Sequence, residues 1–137
     1  MSEVAASYER QPAPASQLPR RILVVEDDPD LLRALTLRLT CAGFTVYTAS
    51  DGELAIRQAL DLQPDLIVLD LGLPGLSGHG VASRLRRDGR PMFPIVVLSA
   101  RSEIEERAAA GQLGAAAYLV KPYEPRQLLS LINSVLR

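Results

Sequence analysis

Five short apolar runs alternate with helical patterns after Arg20, and this alternation constrains the fold more than any other feature of the chain. It is typical of a parallel sheet covered by helices on both faces. The strands are predicted at residues 21–26, 45–49, 66–70, 94–98 and 116–120. Most of these runs are apolar or small throughout, whereas the second, at 45–49, is mixed and is predicted to be an edge strand.

Helix caps and connection rules extend this prediction to a topology. The predicted helix starts are Asp28 before Pro29, Ser50 with Glu53, Ser77, Ser102 with Glu105, and a position near Pro125. Right-handed crossovers leave few arrangements of five parallel strands, and the commonest has the order 2-1-3-4-5. We therefore predict a doubly wound α/β fold with a ligand site beyond the carboxyl ends of the first and third strands.

Length and charge exclude several classes of protein. The 137 residues suffice for one domain, and 15 basic against 16 acidic residues give a net charge of -1. No global field recruits a polyanion, so we expect neither direct nucleic-acid binding nor membrane association. No apolar stretch approaches the roughly 20 residues that span a bilayer.

The termini and the cysteine content suggest how the domain is delimited. Residues 1–19 lack the apolar core of a signal peptide and are predicted to form a flexible N-terminal tail, leaving residues 20–137 as the folded domain. Cys41 is the only cysteine and cannot form an intramolecular disulfide. That suits a reducing compartment, and we expect a cytoplasmic protein.

Reactive side chains stand where four of the apolar runs end. They are Glu26, Asp27 and Asp28 after the first run, Asp70 after the third, Ser99 after the fourth and Lys121 after the fifth. Because the carboxyl ends of parallel strands share one edge of the sheet, we expect these groups to meet. Acids about 4 Å apart at an effective dielectric near 20 repel by roughly 4 kcal/mol per pair, so a cation is required. Mg²⁺ fits, since it prefers oxygen ligands.

With Mg²⁺ present, Asp70 can act as a nucleophile. A carboxylate oxygen of Asp70 would attack an incoming phosphoryl group in line, while the metal and Lys121 neutralise its oxygens and Ser99 donates a hydrogen bond. The product would be an acyl phosphate. Because such a bond is labile, it suits a signal better than a store.

The sequence resembles the receiver domain of two-component response regulators. The matching motifs are ILVVEDD at 22–28, DLGLPG at 70–75, LSA at 98–100 and YLVKP at 118–122. Each motif alone is weak, but four in order on the expected strands form a specific pattern. The resemblance covers nearly all of the chain from Arg21 onward and implies a flavodoxin-like (βα)5 fold.

The resemblance also implies roles around the phosphoryl group. Asp70 would be the phosphoacceptor, and Ser99 and Lys121 would contact the phosphoryl group. Tyr118 would be the switch aromatic that follows the movement of the hydroxyl residue. The bond between Lys121 and Pro122 is expected to be cis.

The metal and the partners follow from the same resemblance. Mg²⁺ would be bound by the side chains of Asp27 and Asp70 and the backbone carbonyl of Gly72, with Glu26 acting through water. A histidine kinase or phosphotransfer protein would supply the phosphoryl group. The chain would promote its own phosphorylation and dephosphorylation without being a turnover enzyme.

The sequence does not identify the partner or domain that would respond to phosphorylation. The chain stops at Arg137, after the predicted fifth helix, so it is either a stand-alone receiver with a downstream protein partner or a fragment that lacks an output domain. DNA-binding relatives often carry two acids before the switch tyrosine, where this chain has Ala116 and Ala117. Loss of these two acids argues against the dimer of that subfamily without excluding it, so we expect either a monomer or a phosphorylation-dependent dimer.

Three other interpretations account for part of the pattern. A Mg²⁺-dependent phosphatase with an aspartate nucleophile usually has a second aspartate two positions on, where this chain has Gly72. A flavodoxin should have a Ser, Thr and Gly-rich first loop, and the acids at 26–28 would repel its phosphate. A receiver-like interaction module that is not phosphorylated commonly lacks one of the acids or the lysine, and none is missing here.

Overall fold

A computed structural model describes residues 18–100, 105, 111 and 113–137, and a parallel sheet forms the centre of this part of the chain. Its strands are β1 (Arg21–Val25), β2 (Thr45–Ala49), β3 (Leu66–Asp70), β6 (Ile95–Ser99) and β7 (Ala117–Val120). Two short strands, β4 (Arg86–Arg87) and β5 (Arg90–Pro91), form an antiparallel hairpin before β6. The sheet order β2-β1-β3-β6-β7 confirms the predicted order 2-1-3-4-5, counted over the parallel strands. Residues 1–17, most of the predicted tail, lie outside the described residues.

The helices that the structure describes are α1 (Pro29–Cys41), α2 (Gly52–Leu62), α3 (Gly78–Arg84) and α4 (Pro125–Leu136). Asp28 caps α1 by accepting a hydrogen bond from the Asp30 N–H at 3.0 Å, and Ser77 caps α3 by accepting one from the Gly80 N–H at 3.2 Å. Both caps confirm the prediction, as does the start of α4 at Pro125. Of these helices none is both long and apolar enough to cross a membrane.

The predicted cap of the second helix is wrong by one residue. Asp51, and not Ser50, is the N-cap of α2, and its Oδ1 accepts a hydrogen bond from the Leu54 N–H at 2.9 Å. A capping side chain must reach the N–H two or three positions further on, and in this turn the Asp51 carboxylate satisfies that geometry. The predicted cap at Ser102 lies outside the described residues.

The strands supply two apolar layers, one on each face of the sheet, because successive strand side chains point to opposite faces. α2 and α3 cover the layer that contains Leu23, Leu69 and Val97, and α1 and α4 cover the layer that contains Ile22, Val68 and Leu98. Burying each large aliphatic side chain contributes about 1.5–3 kcal/mol to folding. The doubly wound fold is therefore confirmed. So is the edge position of β2, in which only Ala49 is buried.

The register of the strands decides which residues meet at the carboxyl edge. Val25 of β1 is paired with Leu69 of β3, so the next residues along the two strands lie side by side there. On the other side of β3, Asp70 is paired with Leu98 of β6. Ser99 of β6 is paired with Val120, the last residue of β7. Lys121, the next residue, therefore lies beside the end of β6.

Candidate functional site

Three carboxylates converge at the carboxyl edge of the sheet. Glu26, Asp27 and Asp70 each offer an oxygen, and these oxygens all lie within 4.8 Å of one another. Glu26 and Asp70 are only 1% and 5% exposed, whereas Asp27 is exposed to solvent. The structure thus brings together three of the acids that the sequence placed at this edge, whereas the Asp28 carboxylate caps α1. Their close approach requires positive charge nearby.

Lys121, the only lysine in the sequence, provides part of that charge. Its Nζ lies 3.0 Å from Asp70 Oδ2 and 3.4 Å from Glu26 Oε1. The lysine follows β7 and reaches the end of β3, although β6 lies between those two strands. The predicted cis bond between Lys121 and Pro122 is confirmed.

The Asp70 carboxylate is held by both of its oxygens. Oδ1 accepts a hydrogen bond from the Gly72 N–H at 2.9 Å, while Oδ2 accepts one from Lys121. Burial acts to raise the pKa of Asp70, but the hydrogen bonds from the Glu26 carboxyl, the Gly72 N–H and Lys121 outweigh it and hold the pKa below its ordinary range. Asp70 is therefore ionised at neutral pH.

The pKa of Glu26 is shifted in the opposite direction, above its ordinary value. Its Oε2 accepts a hydrogen bond from the Asp27 N–H at 2.9 Å, which turns the side chain into the protein. Burial, followed by the neighbouring Asp70 carboxylate, raises the pKa of Glu26 from 4.5 to about 7, and Lys121 opposes the rise only in part. Near neutral pH, Glu26 consequently exchanges a proton while Asp70 stays charged.

The pKa of Lys121 is shifted by the same two acids, Asp70 and Glu26. Partial burial acts to lower the pKa of Lys121, but the hydrogen bond and charge of Asp70, and then Glu26, raise it above its ordinary value of 10.5. The ammonium is thus fixed as a cation beside Asp70 over the whole physiological range.

A pocket of about 460 Å³ opens beside these groups. Its described lining consists of Asp70, Leu71, Gly72, Ser99, Ala100 and Lys121. Ser99 is buried, with 4% of its surface exposed, and lines this pocket. Tyr118 is half-buried on β7, packs against the apolar layer under α2 and α3, and lines a different groove. The predicted site residues therefore meet, with the exception of Tyr118, which is paired with Val97 and lies two positions before the end of β7.

Sequence reasoning missed Gly78, which positions the loop after Asp70. A Cβ atom at Gly78 would lie 2.7 Å from the Asp70 carbonyl oxygen and 2.7 Å from Leu71 Cα. The first turn of α3 can therefore rest directly on the end of β3 only with glycine at this position. The available signal was the glycine immediately after the Ser77 cap.

The donor set suits a hard divalent cation. All three acids offer oxygen, and the cluster contains neither histidine nor cysteine, the ligands that favour zinc. An ionised, partly buried carboxylate beside a fixed ammonium can act as a nucleophile toward a group that carries its own negative charge. The arrangement is thus fitted to a phosphoryl group or a similar oxyanion.

Comparison with known proteins gives consistent matches. The response regulator receiver domain family matches residues 22–133. Over 117 residues the chain is 44% identical to the transcriptional regulatory protein PrrA of Mycobacterium leprae. The matched segment covers 85% of this chain and 50% of PrrA. The chain spans about half the length of the curated relatives it matches.

Solved structures agree with the sequence matches. The chemotaxis protein CheY4 of Vibrio cholerae superposes with a TM-score of 0.79 at 29% identity, covering 86% of this chain and 99% of CheY4. The response regulator protein TrrA of Thermotoga maritima, in complex with Mg²⁺-BeF, gives a TM-score of 0.75 at 31% identity and covers 85% of this chain and 99% of TrrA.

Proposed function

The chain belongs to the family of response regulator receiver domains, and we propose that it accepts a phosphoryl group on Asp70 from a phosphohistidine donor. Its relatives include transcriptional regulatory proteins, and we expect this domain to promote its own phosphorylation and dephosphorylation without being a turnover enzyme. The observation that carries the proposal is the environment of Asp70. This carboxylate is 5% exposed, contacts Lys121 at 3.0 Å, and lines a pocket that also contains Ser99.

Asp70 would act as the nucleophile. An electron pair of a carboxylate oxygen forms the new O–P bond, and the electrons of the breaking P–N bond return to the imidazole of the donor. The lowered pKa of Asp70 keeps this oxygen deprotonated at neutral pH, so no general base is needed. The hydrogen bond from the Gly72 N–H to Oδ1 fixes the plane of the carboxylate during the attack.

The side chains of Asp27 and Asp70, together with the Gly72 carbonyl, would hold a Mg²⁺ ion, and Glu26 would contribute through water. When bound there, Mg²⁺ supplies positive charge that offsets the three acids and the phosphoryl oxygens. The convergence of the acids within 4.8 Å supports this assignment, as does the Mg²⁺-BeF in the related TrrA structure.

Lys121 and Ser99 would bind the phosphoryl group after transfer. The Lys121 ammonium already contacts Asp70 Oδ2 at 3.0 Å, and Ser99 lines the same pocket. Phosphorylation adds about -1.5 to -2 charges and three acceptor oxygens. We assign to Ser99 and Tyr118 the task of reporting this change, because they lie on the adjacent strands β6 and β7.

A protein donor has an adjoining place to dock. An apolar cleft of about 400 Å³ lies between α1 and α4, and its lining includes Leu31, Ala34 and Leu128 as well as Lys121. Since Lys121 lines both this cleft and the Asp70 pocket, an apolar helix of a histidine kinase or phosphotransfer protein seated here would bring its phosphohistidine toward Asp70. The output would pass to a downstream partner or to an output domain of a longer protein, without direct nucleic-acid binding by this domain.

Intact-mass measurement after incubation with a small acyl-phosphate donor tests the proposal. The wild type should gain one phosphoryl mass with Mg²⁺ and none without it, and Asp70→Asn should gain none. Asp28→Asn is the matched control, because asparagine also caps a helix and the same chemical change is made beside the site. The proposal fails if the wild type gains no phosphoryl mass with Mg²⁺, or if Asp70→Asn gains as much.

A further inference from the structure

Arg86 makes a contact across the fold that none of the roles above uses. From the first strand of the β4–β5 hairpin, its Nη1 donates a hydrogen bond to the Leu113 carbonyl at 2.8 Å, across 27 positions of sequence. Its Nη2 donates to the Gly89 carbonyl within the hairpin itself. The planar guanidinium thus joins two carbonyls, which a lysine ammonium with its single nitrogen cannot do in the same geometry.

The turn that accepts the hydrogen bond from Arg86 leaves space for the guanidinium because it contains Gly114. Gly114 follows Leu113 and has φ of +71°, a left-handed conformation that favours glycine. A Cβ atom at Gly114 would lie 2.8 Å from Arg86 Nη1 and 3.0 Å from Pro91 Cγ. The hydrogen bond and the missing side chain are separate observations, and both place Arg86 directly on this turn.

The turn and the hairpin lead into two strands, β6, which ends at Ser99, and β7, which Lys121 follows. The hairpin precedes β6, Gly114 precedes β7, and the Ala116 N–H donates to the Ile95 carbonyl at 2.9 Å where the strands begin. At the opposite end of the pair, the Lys121 N–H donates to the Ser99 carbonyl at 2.7 Å. Arg86 therefore ties together the amino ends of the strands whose carboxyl ends form the phosphoryl pocket.

We propose that Arg86 is a positioning residue of this site: by fixing the turn before β7, it fixes the place from which Lys121 reaches Asp70. The inference rests on the proposed function for its consequence on phosphorylation. Among the residues that the structure describes, β7 is the last strand of the sheet and is hydrogen-bonded along one side, to β6. The position of such a strand depends on contacts at its ends. From its first residue to Lys121 the segment spans only about 16 Å, so a shift of the turn at one end would move Lys121 at the other.

Arg86→Gln tests this role, with Arg86→Lys as the conservative variant and Arg87→Gln as the matched control. Arg87 is the next residue, is exposed, and loses the same charge in the control variant. Because Lys121 is the only lysine, selective [¹³C-ε]lysine labelling gives a single side-chain signal that reports its contact with Asp70. Hydrogen exchange of the Lys121 amide reports the end of β7.

Arg86→Gln should raise the exchange rate of the Lys121 amide and slow phosphorylation by a small acyl-phosphate donor, each about 10-fold, since small misplacements of a contacting group slow a reaction steeply. The Mg²⁺ concentration at half saturation should stay as in the wild type, because Asp27 and Asp70 lie at the ends of β1 and β3. Arg86→Lys should be intermediate, and Arg87→Gln should match the wild type.

Two results would overturn the role of Arg86. One is an Arg86→Gln protein whose Lys121 signal, exchange rate and phosphorylation rate equal those of Arg87→Gln. The other is exchange that accelerates equally in β1 and β3, which indicates general loss of stability. If Arg86→Gln does not fold, the same comparison between Arg86→Lys and Arg87→Gln decides. If the wild type is not phosphorylated, the proposed function fails, and the lysine signal and amide exchange still decide the role of Arg86.

Discussion

The Lys121 ammonium contacts Asp70 Oδ2 at 3.0 Å, although the two residues are 51 positions apart in the chain. They belong to the ends of β7 and β3, and β6 lies between these strands. Together with the hydrogen bonds from the Glu26 carboxyl and the Gly72 N–H, the contact lowers the pKa of Asp70, and it also partly compensates the charge of the carboxylate. Under the proposed function, Asp70 would therefore be ready to act as the nucleophile before a donor arrives, and the same cation would be in place to bind the product.

Lys121→Gln should slow phosphorylation of Asp70 by a small acyl-phosphate donor by about 100-fold, because the variant removes a cation aimed at charge that develops during transfer. Mg²⁺ binding should remain, since the three acids are unchanged. Lys121→Arg should recover part of the rate, because it keeps the charge in a different shape. Time courses of intact mass measure the rates. Wild-type kinetics in Lys121→Gln would contradict the role.

The titration of Lys121 can be followed directly, since it is the only lysine. Its pKa should lie above 10.5, and Asp70→Asn should lower it, because the neighbouring negative charge is lost. Selective labelling of the lysine Cε and a pH titration by NMR measure both values. Asp28→Asn, which changes an aspartate that caps α1, is the control and should leave the lysine titration unchanged. A pKa that Asp70→Asn does not move would show that the contact is absent in solution.

The position of the site could be predicted from sequence because two simple rules coincide. Apolar runs locate the buried strands, and parallel strands bring their carboxyl ends to one edge, so Asp70, Ser99 and Lys121 could be placed together without coordinates. Burial of the strands also restricts the register in which they can pair. These are strong constraints, since shifting a strand by one residue would move its apolar side chains to the wrong face.

Other features could not be predicted because they depend on contacts between distant residues. Ser50 and Asp51 can both cap a helix, and the position of α2 on the sheet decides between them. The close approach of Gly78 to the end of β3 appears only when α3 is packed. The hydrogen bond between Arg86 and the Leu113 carbonyl spans 27 positions and has no local pattern.

Glu26 should make the stability of the metal-free protein depend on pH. Its pKa is about 7 in the folded protein and about 4.5 when unfolded, so the folded state binds the proton more tightly. This contribution to stability is complete below about pH 4.5 and is lost as the pH rises through about 7. Asp70 has a lowered pKa and acts in the opposite sense, losing its contribution as the pH falls through its folded pKa.

Glu26→Gln should therefore flatten the pH dependence between about pH 4.5 and 7, where one proton contributes a slope of up to about 1.4 kcal/mol per pH unit. Urea unfolding at several pH values, in the presence of a chelator, measures the slope. Glu53→Gln is the matched control, because Glu53 is exposed on α2 and pairs only with the exposed Arg84 among the described residues. The prediction is contradicted if both variants keep the wild-type slope.

The cleft between α1 and α4 should matter for a protein donor and not for a small one. Ala34 is exposed on α1 and lines the cleft, so Ala34→Glu would place a charge where an apolar helix is proposed to dock. Transfer from autophosphorylated histidine kinases should fall by about 10-fold or more, since a charged side chain would replace an apolar contact in the docked complex. Phosphorylation by a small acyl-phosphate donor should be unchanged, because the Asp70 pocket is intact. Leu60→Glu is the control, as Leu60 is 46% exposed on α2, on the opposite face of the sheet. Equal losses in the two variants, or a loss with the small donor, would exclude the cleft as the docking site.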